Sequence, residues 1–163
     1  MNIRPARDAD APMIAAVLQE AEQWLVNGGR TLWSAAEIGQ ERVLRDTRDG
    51  LFHIACEGTQ LAGVMKFELE DAYFWPEIAP GSSAFVHKLA VRRAWAGQGI
   101  STALLTYARS RARQLGRDRL RLDCVADRPD LRKLYEGFGF SQHSVIQRGA
   151  TAYARYEIGT AAD

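Results

Sequence analysis

Cysteine is scarce in this chain. Cys56 and Cys124 are the two among 163 residues, and no C-x-x-C pair exists. That excludes a disulfide framework and a cysteine-built zinc site. Both fall in predicted strands, where cysteine reads as a small core residue. Histidine is scarce as well: His53, His87 and His143 are scattered without ligand spacing, so no metal is expected. No apolar run approaches a membrane span. Neither sign of charge dominates, with 21 Lys and Arg against 20 Asp and Glu. A signal-peptide pattern is missing too, since Met1-Asn2-Ile3-Arg4-Pro5 reads directly as a strand. Repeats, low-complexity segments and linkers are absent. Together these absences predict one cytoplasmic domain over 1–163, an enzyme or a binding protein with no membrane partner.

The near-zero net charge hides an asymmetry. Between Arg92 and Arg121 lie eight arginines and one acid, Asp118, while Lys66 to Pro80 holds four acids and one lysine. Arg109, Arg111, Arg113 and Arg117 read as solvated faces at a helix. Arg92 and Arg93 flank a glycine turn and are better candidates for a phosphate. No recognition motif accompanies the basic stretch, so no nucleic-acid partner is expected.

Periodicity orders the elements. A strand over 2–6 precedes a helix capped by Asp8, with Ile14, Val17, Leu18, Ala21 and Leu25 as its stripe. Ser34-Ala35-Ala36-Glu37 is a capping-box pattern that predicts a second helix to about Thr47. Strands at 51–57 and 60–70 flank Gly58-Thr59 as a hairpin. The aromatic loop Tyr73-Phe74-Trp75-Pro76 follows, then a strand over 83–91. A helix from Gly99 to Leu115, with Ile100, Leu104, Ala108 and Leu115 inward, leads to a strand at 119–125 and a helix at 129–137. Strands near 140–147 and 151–158 close the chain. The order βααβββαβαββ predicts an α/β fold of the α+β mixed-sheet kind, with helices on both faces.

The run Leu89-Ala90-Val91-Arg92-Arg93-Ala94-Trp95-Ala96-Gly97-Gln98-Gly99-Ile100-Ser101 is a strand that breaks into a glycine turn and opens a helix. Such a turn presents unpaired N–H groups and the positive end of the helix dipole, which makes a phosphate cradle. A Walker loop needs Lys-Ser/Thr after its last glycine, and Ile100-Ser101 follow Gly99. A dinucleotide fingerprint needs glycine at position 102, which is Thr. A plain helix start with a loop glycine is the bland alternative.

Downstream stand the strand Leu120-Arg121-Leu122-Asp123-Cys124-Val125 and the helix ending Leu134-Tyr135-Glu136-Gly137-Phe138-Gly139-Phe140. Strand, glycine turn, amphipathic helix, strand, then a helix ending Leu-Tyr-x-x-x-Gly-Phe resembles the GCN5-related N-acetyltransferase (GNAT) superfamily. Its specific motifs lie from Phe85 to Phe140. The family's loop runs Arg/Gln-x-x-Gly-x-Gly/Ala. Here Gly99 is kept, Ala96 and Ser101 depart from the pattern, and Arg128 stands where the family often has Asn.

The resemblance implies a central mixed sheet whose parallel strands splay apart around acetyl-CoA. It implies pantetheine on the strand backbone at Leu89, Ala90 and Val91, and pyrophosphate on Gly97, Gln98, Gly99, Ile100, Ser101 and Thr102. Arg128 and Tyr135 are further acetyl-CoA contacts. Tyr135 is the expected proton donor to the departing thiolate, against a bland reading as a packed helix tyrosine. A backbone N–H near Leu89 is the expected oxyanion donor. For the general base, His87 has a suitable ordinary pKa, with Glu68 and Glu70 as rivals. Trp33, Trp75 and Asp123 are candidate acceptor contacts. Trp24 and Trp33 also read as helix packing, whereas Trp75 before Pro76 is harder to explain as core. The acceptor is expected to be a small-molecule amine, and the resemblance allows a homodimer. A non-catalytic acyl-CoA-binding or sensing domain on the same fold is the alternative, and a different nucleotide site such as one for ATP is a third.

Overall fold

The computed structural model describes residues 1–162. Its elements are β1 (Asn2–Pro5), α1 (Ala11–Asn27), α2 (Gln40–Arg48), β2 (Phe52–Glu57), β3 (Gln60–Glu68), β4 (Ser83–Val91), α3 (Ile100–Gln114), β5 (Arg119–Val125), α4 (Pro129–Phe138), β6 (Ser141–Arg148) and β7 (Thr151–Gly159). The seven strands are ordered β1-β2-β3-β4-β5-β7-β6. β4 and β5 pair in parallel, while β1 with β2, β2 with β3, β5 with β7 and β6 with β7 are antiparallel. The element order is the expected one, and the sheet is mixed. The chain falls into two compact units: Met1–Phe67 with Lys88–Leu105, and Glu68–His87 with the chain from Thr106 onward.

In the first unit α1 starts on Ala11-Pro12. Proline suits the first turn because its missing N–H would lack a helical partner there. Ile14, Val17 and Leu18 are fully buried with Val43 of α2, Phe52 and Ile54 of β2 and Val64 of β3. Each such side chain contributes about 1.5–3 kcal/mol. Leu61 through Phe67 are all buried, so both faces of β3 are covered. Lys66 on this strand meets Asp46 at 3.1 Å, and Arg42 Nε binds the same carboxylate at 3.0 and 3.1 Å. The buried lysine is therefore paired.

Two boundaries differ from expectation. Ser34 and Glu37 do form reciprocal capping bonds, Ser34 N–H to Glu37 Oε2 at 2.8 Å and Glu37 N–H to Ser34 Oγ at 3.3 Å. They close only a turn, because Gly39 is extended (φ −70°, ψ 154°) and α2 starts after it. Asp8 lies inside a one-turn 3-10 helix, and its carboxylate takes Arg48 instead of capping α1.

In the second unit the ladder between β4 and β5 has three pairs, Ser83↔Arg119, Ala84↔Leu120 and Phe85↔Arg121. Neither strand ends there. Leu115, expected inward, follows the end of α3 and is 38% exposed.

Trp75 corrects a larger expectation. It is 2% exposed, with Arg155 4.5 Å and Arg121 4.9 Å from its ring centroid. Those guanidiniums are themselves paired, Arg155 with Glu77 at 2.7 Å and Arg121 with Glu157. Trp75 is thus a core element held by cation–π contacts, and its loop folds inward to bury it. The side chain expected to be hard to explain as core is therefore core.

Candidate active site

Each unit carries one group of candidate residues. In the first, β4 reaches Leu89-Ala90-Val91 through an irregular residue. Lys88 has φ +53°, the one positive φ outside glycine among the described residues. A lysine in this conformation costs about 1–2 kcal/mol. Its side chain is anchored, with Nζ 3.1 Å from Glu37 Oε1 and 5.3 Å from the Trp33 ring centroid. Trp33 therefore already carries a cation on its ring. Nothing in the local sequence signals this kink, since lysine has no preference for positive φ.

Beyond β4, Arg92 N–H donates to Ala62 C=O at 2.9 Å. Arg93 stacks its guanidinium 4.2 Å from the Trp24 ring centroid, while Arg92 Nε is buried without a hydrogen-bond partner. Gly97 and Gly99 have φ +74° and +79°, and a Cβ at either would meet nothing within 4 Å. Glycine is required here by conformation, and the space above the turn is open. Ala103 N–H to Gly99 C=O, at 3.0 Å, is the first helical bond. The amides of Gly99, Ile100, Ser101 and Thr102 precede it, as the N-terminal donors of α3.

Gly63 fixes the approach of β3 to this segment. A Cβ there would lie 2.7 Å from Ile100 Cγ2 and 3.1 Å from the Ala90 carbonyl oxygen. Gly63→Ala is expected to destabilise the fold by about 1–3 kcal/mol. Denaturant melts check the effect, and an unchanged midpoint contradicts the tight packing.

The second unit brings His87, Glu68, Asp71 and Asp123 together. His87 Nε2 lies 2.9 Å from Asp71 Oδ2 and 3.6 Å from Glu68 Oε2, and Nδ1 lies 3.9 Å from Asp123 Oδ2. The Phe74 ring stands beside the imidazole, 6.2 Å away and tilted by 33°. Ligand atoms of Asp71, His87 and Asp123 fall within 4.8 Å of one another. Yet Asp71 and Asp123 address opposite ring nitrogens, whereas a metal takes one nitrogen with the carboxylates on its side. The surroundings suit an imidazolium, whose charge the carboxylates on both sides attract.

Electrostatics agree with that reading. Burial alone pulls the His87 pKa down, but the Asp71 contact and the charges of Asp123, Glu68 and Asp71 outweigh it, and the net direction is up. Burial likewise favours neutral Asp71. The His87 contact and two backbone N–H donors reverse that, and its pKa is lowered. With His87 raised above its ordinary value of about 6.5, the imidazolium's stabilising contribution is complete below that value and is lost as pH rises through the folded pKa. A basic His87 therefore exists only above its raised pKa. Activity that needs it is expected to rise with pH along a limb whose midpoint lies above about 6.5, measured as kcat/KM against pH. A midpoint below that value contradicts the arrangement.

Asp71 was missed by sequence reasoning. The available signal is local: its side chain accepts from Tyr73 N–H at 3.2 Å and Phe74 N–H at 3.0 Å, an Asx turn opening the aromatic loop. Glu70, the other expected rival base, has a side chain 63% exposed and 3.9 Å from Arg117. Arg128 precedes α4 and binds Asp130 through Nε at 3.2 Å and Nη2 at 3.0 Å. Tyr135 on α4 is 6% exposed, packed edge-on to Phe140 and tilted against Tyr156, each 6.1 Å between centroids. Burial first, then Cys124 and Asp123, push its hydroxyl pKa up, so it stays protonated. Burial, with Asp123 next, pushes the Cys124 thiol up to about 12.

Residues 18–140 match the model of the Acetyltransferase (GNAT) family. The chain belongs to that family. It is 30% identical over 142 residues, 83% of this chain and 79% of the relative, to the uncharacterized N-acetyltransferase YesJ of Bacillus subtilis (strain 168). Among solved structures, a GNAT-family acetyltransferase from Listeria monocytogenes superposes with a TM-score of 0.78 at 20% identity, covering 97% of this chain and 94% of that one. The PaiA N-acetyltransferase from Thermoplasma acidophilum, solved in complex with coenzyme A, gives 0.75 at 17% identity, covering 94% and 96%. These likenesses show the GNAT fold.

GNAT proteins use acetyl-CoA, and the turn of this chain fits such a donor. Gly97 and Gly99 face open space at positive φ, in a turn that opens the N-terminus of α3. The departures at Ala96 and Ser101 replace side chains and leave those backbone donors in place.

Proposed function

We propose that this GNAT protein transfers the acetyl group of acetyl-CoA to a primary amine of a small cationic molecule, by direct attack in a ternary complex. The observation that carries this reading is His87 standing among three carboxylates. It is a titratable base in surroundings that attract an ammonium ion. Phe74 beside it adds an aromatic ring suited to the same charge.

The backbone at Leu89, Ala90 and Val91 pairs with the pantetheine arm, and the amides of Gly97 to Thr102 receive the pyrophosphate. Arg128 and Tyr135 are assigned as further contacts to the donor, Arg128 keeping its Asp130 partner. Asp123 orients the ammonium. His87 takes the proton from the acceptor, and Glu68 supports the charge that His87 gains. The amine lone pair then forms the C–N bond as the C–S bond breaks, and a backbone N–H near Leu89 donates to the oxyanion.

Tyr135 donates toward the departing thiolate. Its raised pKa widens the gap to the thiol, so the hydroxyl acts as a neutral donor to sulfur and passes its proton as negative charge develops there, while the acylated nitrogen gives up its remaining extra proton through water to restore the hydroxyl. Cys124 supports direct transfer over an acyl-enzyme, since a buried thiol with a pKa near 12 supplies no thiolate at neutral pH.

The test is a panel of small primary amines and lysine-bearing proteins, with acetyl-CoA and thiol release as the readout. Turnover with small amines is expected. Reaction confined to protein lysines overturns the acceptor class.

A further inference from the structure

We infer that the cavity beside the start of β5 is a binding site for a small phosphate-bearing anion, held by Arg113, Arg117 and Arg119. The cavity measures about 660 Å³, a ligand-sized space. Three arginines line it against one acid, Asp118. None of these residues has a role in the proposed transfer, and the whole set lies in the second unit.

Solvation and helix capping do not account for this set. Arg113 stands in the last turn of α3, where a cation offsets the negative end of the helix dipole. Backbone amides already cap that end. Leu115 N–H meets the Arg111 and Ala112 carbonyls at 3.1 Å, Gly116 N–H the Arg113 carbonyl at 3.0 Å, and Arg117 N–H the Ala112 carbonyl at 2.9 Å. Arg117 and Arg119 lie beyond the helix. Arg117, expected on a solvated face, has a side chain only 16% exposed. Its Nη1 is buried with no hydrogen-bond partner. The nearest carboxylate, Glu70, stands 3.9 Å away on a side chain 63% exposed, and such a screened pair is weak. A charge partly removed from water in this way attracts an anion in the adjoining cavity more strongly. Arg119 Nη1 lies 3.2 Å from where a Cβ of Gly159 would stand, so the missing side chain leaves the space this guanidinium uses. Among the described residues neither Arg113 nor Arg119 forms an ion pair.

The backbone under the site is fixed. Asp118 N–H donates to Ser82 C=O at 2.9 Å, Thr160 N–H donates to Asp118 C=O at 3.1 Å, and Thr160 Oγ1 donates to Arg117 C=O. The segment carrying Arg117 and Arg119 is thus tied to the residues before β4 and after β7, which preorganises it. A carboxylate offers two oxygens and fills one guanidinium fork. Three guanidiniums suit an anion with more oxygens in a tetrahedral array, which is inorganic phosphate or a phosphate monoester.

NMR of arginine Nε and backbone amides during a titration with inorganic phosphate is the test, with chloride at matched ionic strength as control. The readout is residue by residue, so phosphate at the turn of Gly97 and Gly99 is seen separately. Signals of Arg113, Arg117, Arg119 and Thr160 are expected to shift and saturate with phosphate alone. Arg113 and Arg119 are exposed, so replacing both with glutamine keeps the fold and is expected to weaken binding by about 10-fold or more. Asp118→Asn, also at an exposed position, removes the opposing charge and is expected to tighten binding by about 2- to 5-fold. A parallel titration with glycerol phosphate separates the two sources: tighter binding than inorganic phosphate assigns the site to an ester, weaker binding to the free ion. Shifts that fail to saturate, or that chloride reproduces, overturn the inference. Unchanged binding in the double variant, or weaker binding in Asp118→Asn, also overturns it.

Discussion

Replacing His87 with glutamine is expected to lower kcat by about 10²- to 10⁴-fold at neutral pH, the usual contribution of a positioned base. The dissociation constant of acetyl-CoA should not change, because no donor-binding role falls to this side chain. The rising limb of kcat/KM against pH should vanish with it, since the group that titrates above its ordinary value is gone. The substitution also removes the cation shared by Asp71, Glu68 and Asp123. Leaving buried carboxylates without it costs about 3–5 kcal/mol, so rates must be read below the variant's melting temperature. Initial rates of thiol release across a pH series, with an acceptor from the amine panel, make the measurement. A variant that keeps both its rate and its rising limb shows that His87 is a structural histidine paired with Asp71.

Tyr135→Phe is expected to reduce kcat by about 10²-fold while acetyl-CoA still binds. The exchange removes one oxygen and no ring. Its contacts with Phe140 and Tyr156 persist, and the volume-conserving change costs less than about 1.5 kcal/mol. Burial already holds the hydroxyl neutral, so what is lost is a donor to the sulfur, with no change in charge. Calorimetry with acetyl-CoA and single-turnover thiol release separate binding from chemistry. Undiminished turnover would make Tyr135 a packing residue of α4.

Both predictions start from features that differ in how far the sequence displays them. The fold was legible because its elements alternate in period, and the glycine turn because backbone amides need only Gly97 and Gly99 to be exposed. His87 was visible as a titratable residue on the strand feeding that turn. Its partner Asp71 was not, because the pairing is tertiary: a loop residue meets a strand residue sixteen positions on. Trp75 misled for the opposite reason. An aromatic loop before proline reads as exposed, yet Arg121 and Arg155 from β5 and β7 supply the cations that bury it. The kink at Lys88 is set by its anchors Glu37 and Trp33 and leaves no mark in local sequence. The capping box at Ser34 is chemically correct, and Gly39 decides that it closes a turn ahead of α2.

The most direct test of the account is a calorimetric titration of the chain with acetyl-CoA, with ATP as the control. One-site binding of acetyl-CoA with no heat from ATP is the predicted result, and it justifies the search for the acceptor. Binding of ATP, or no binding of acetyl-CoA, would contradict the account: the turn at Gly97 and Gly99 would then not be a donor cradle, and the roles of His87 and Tyr135 would fall with it.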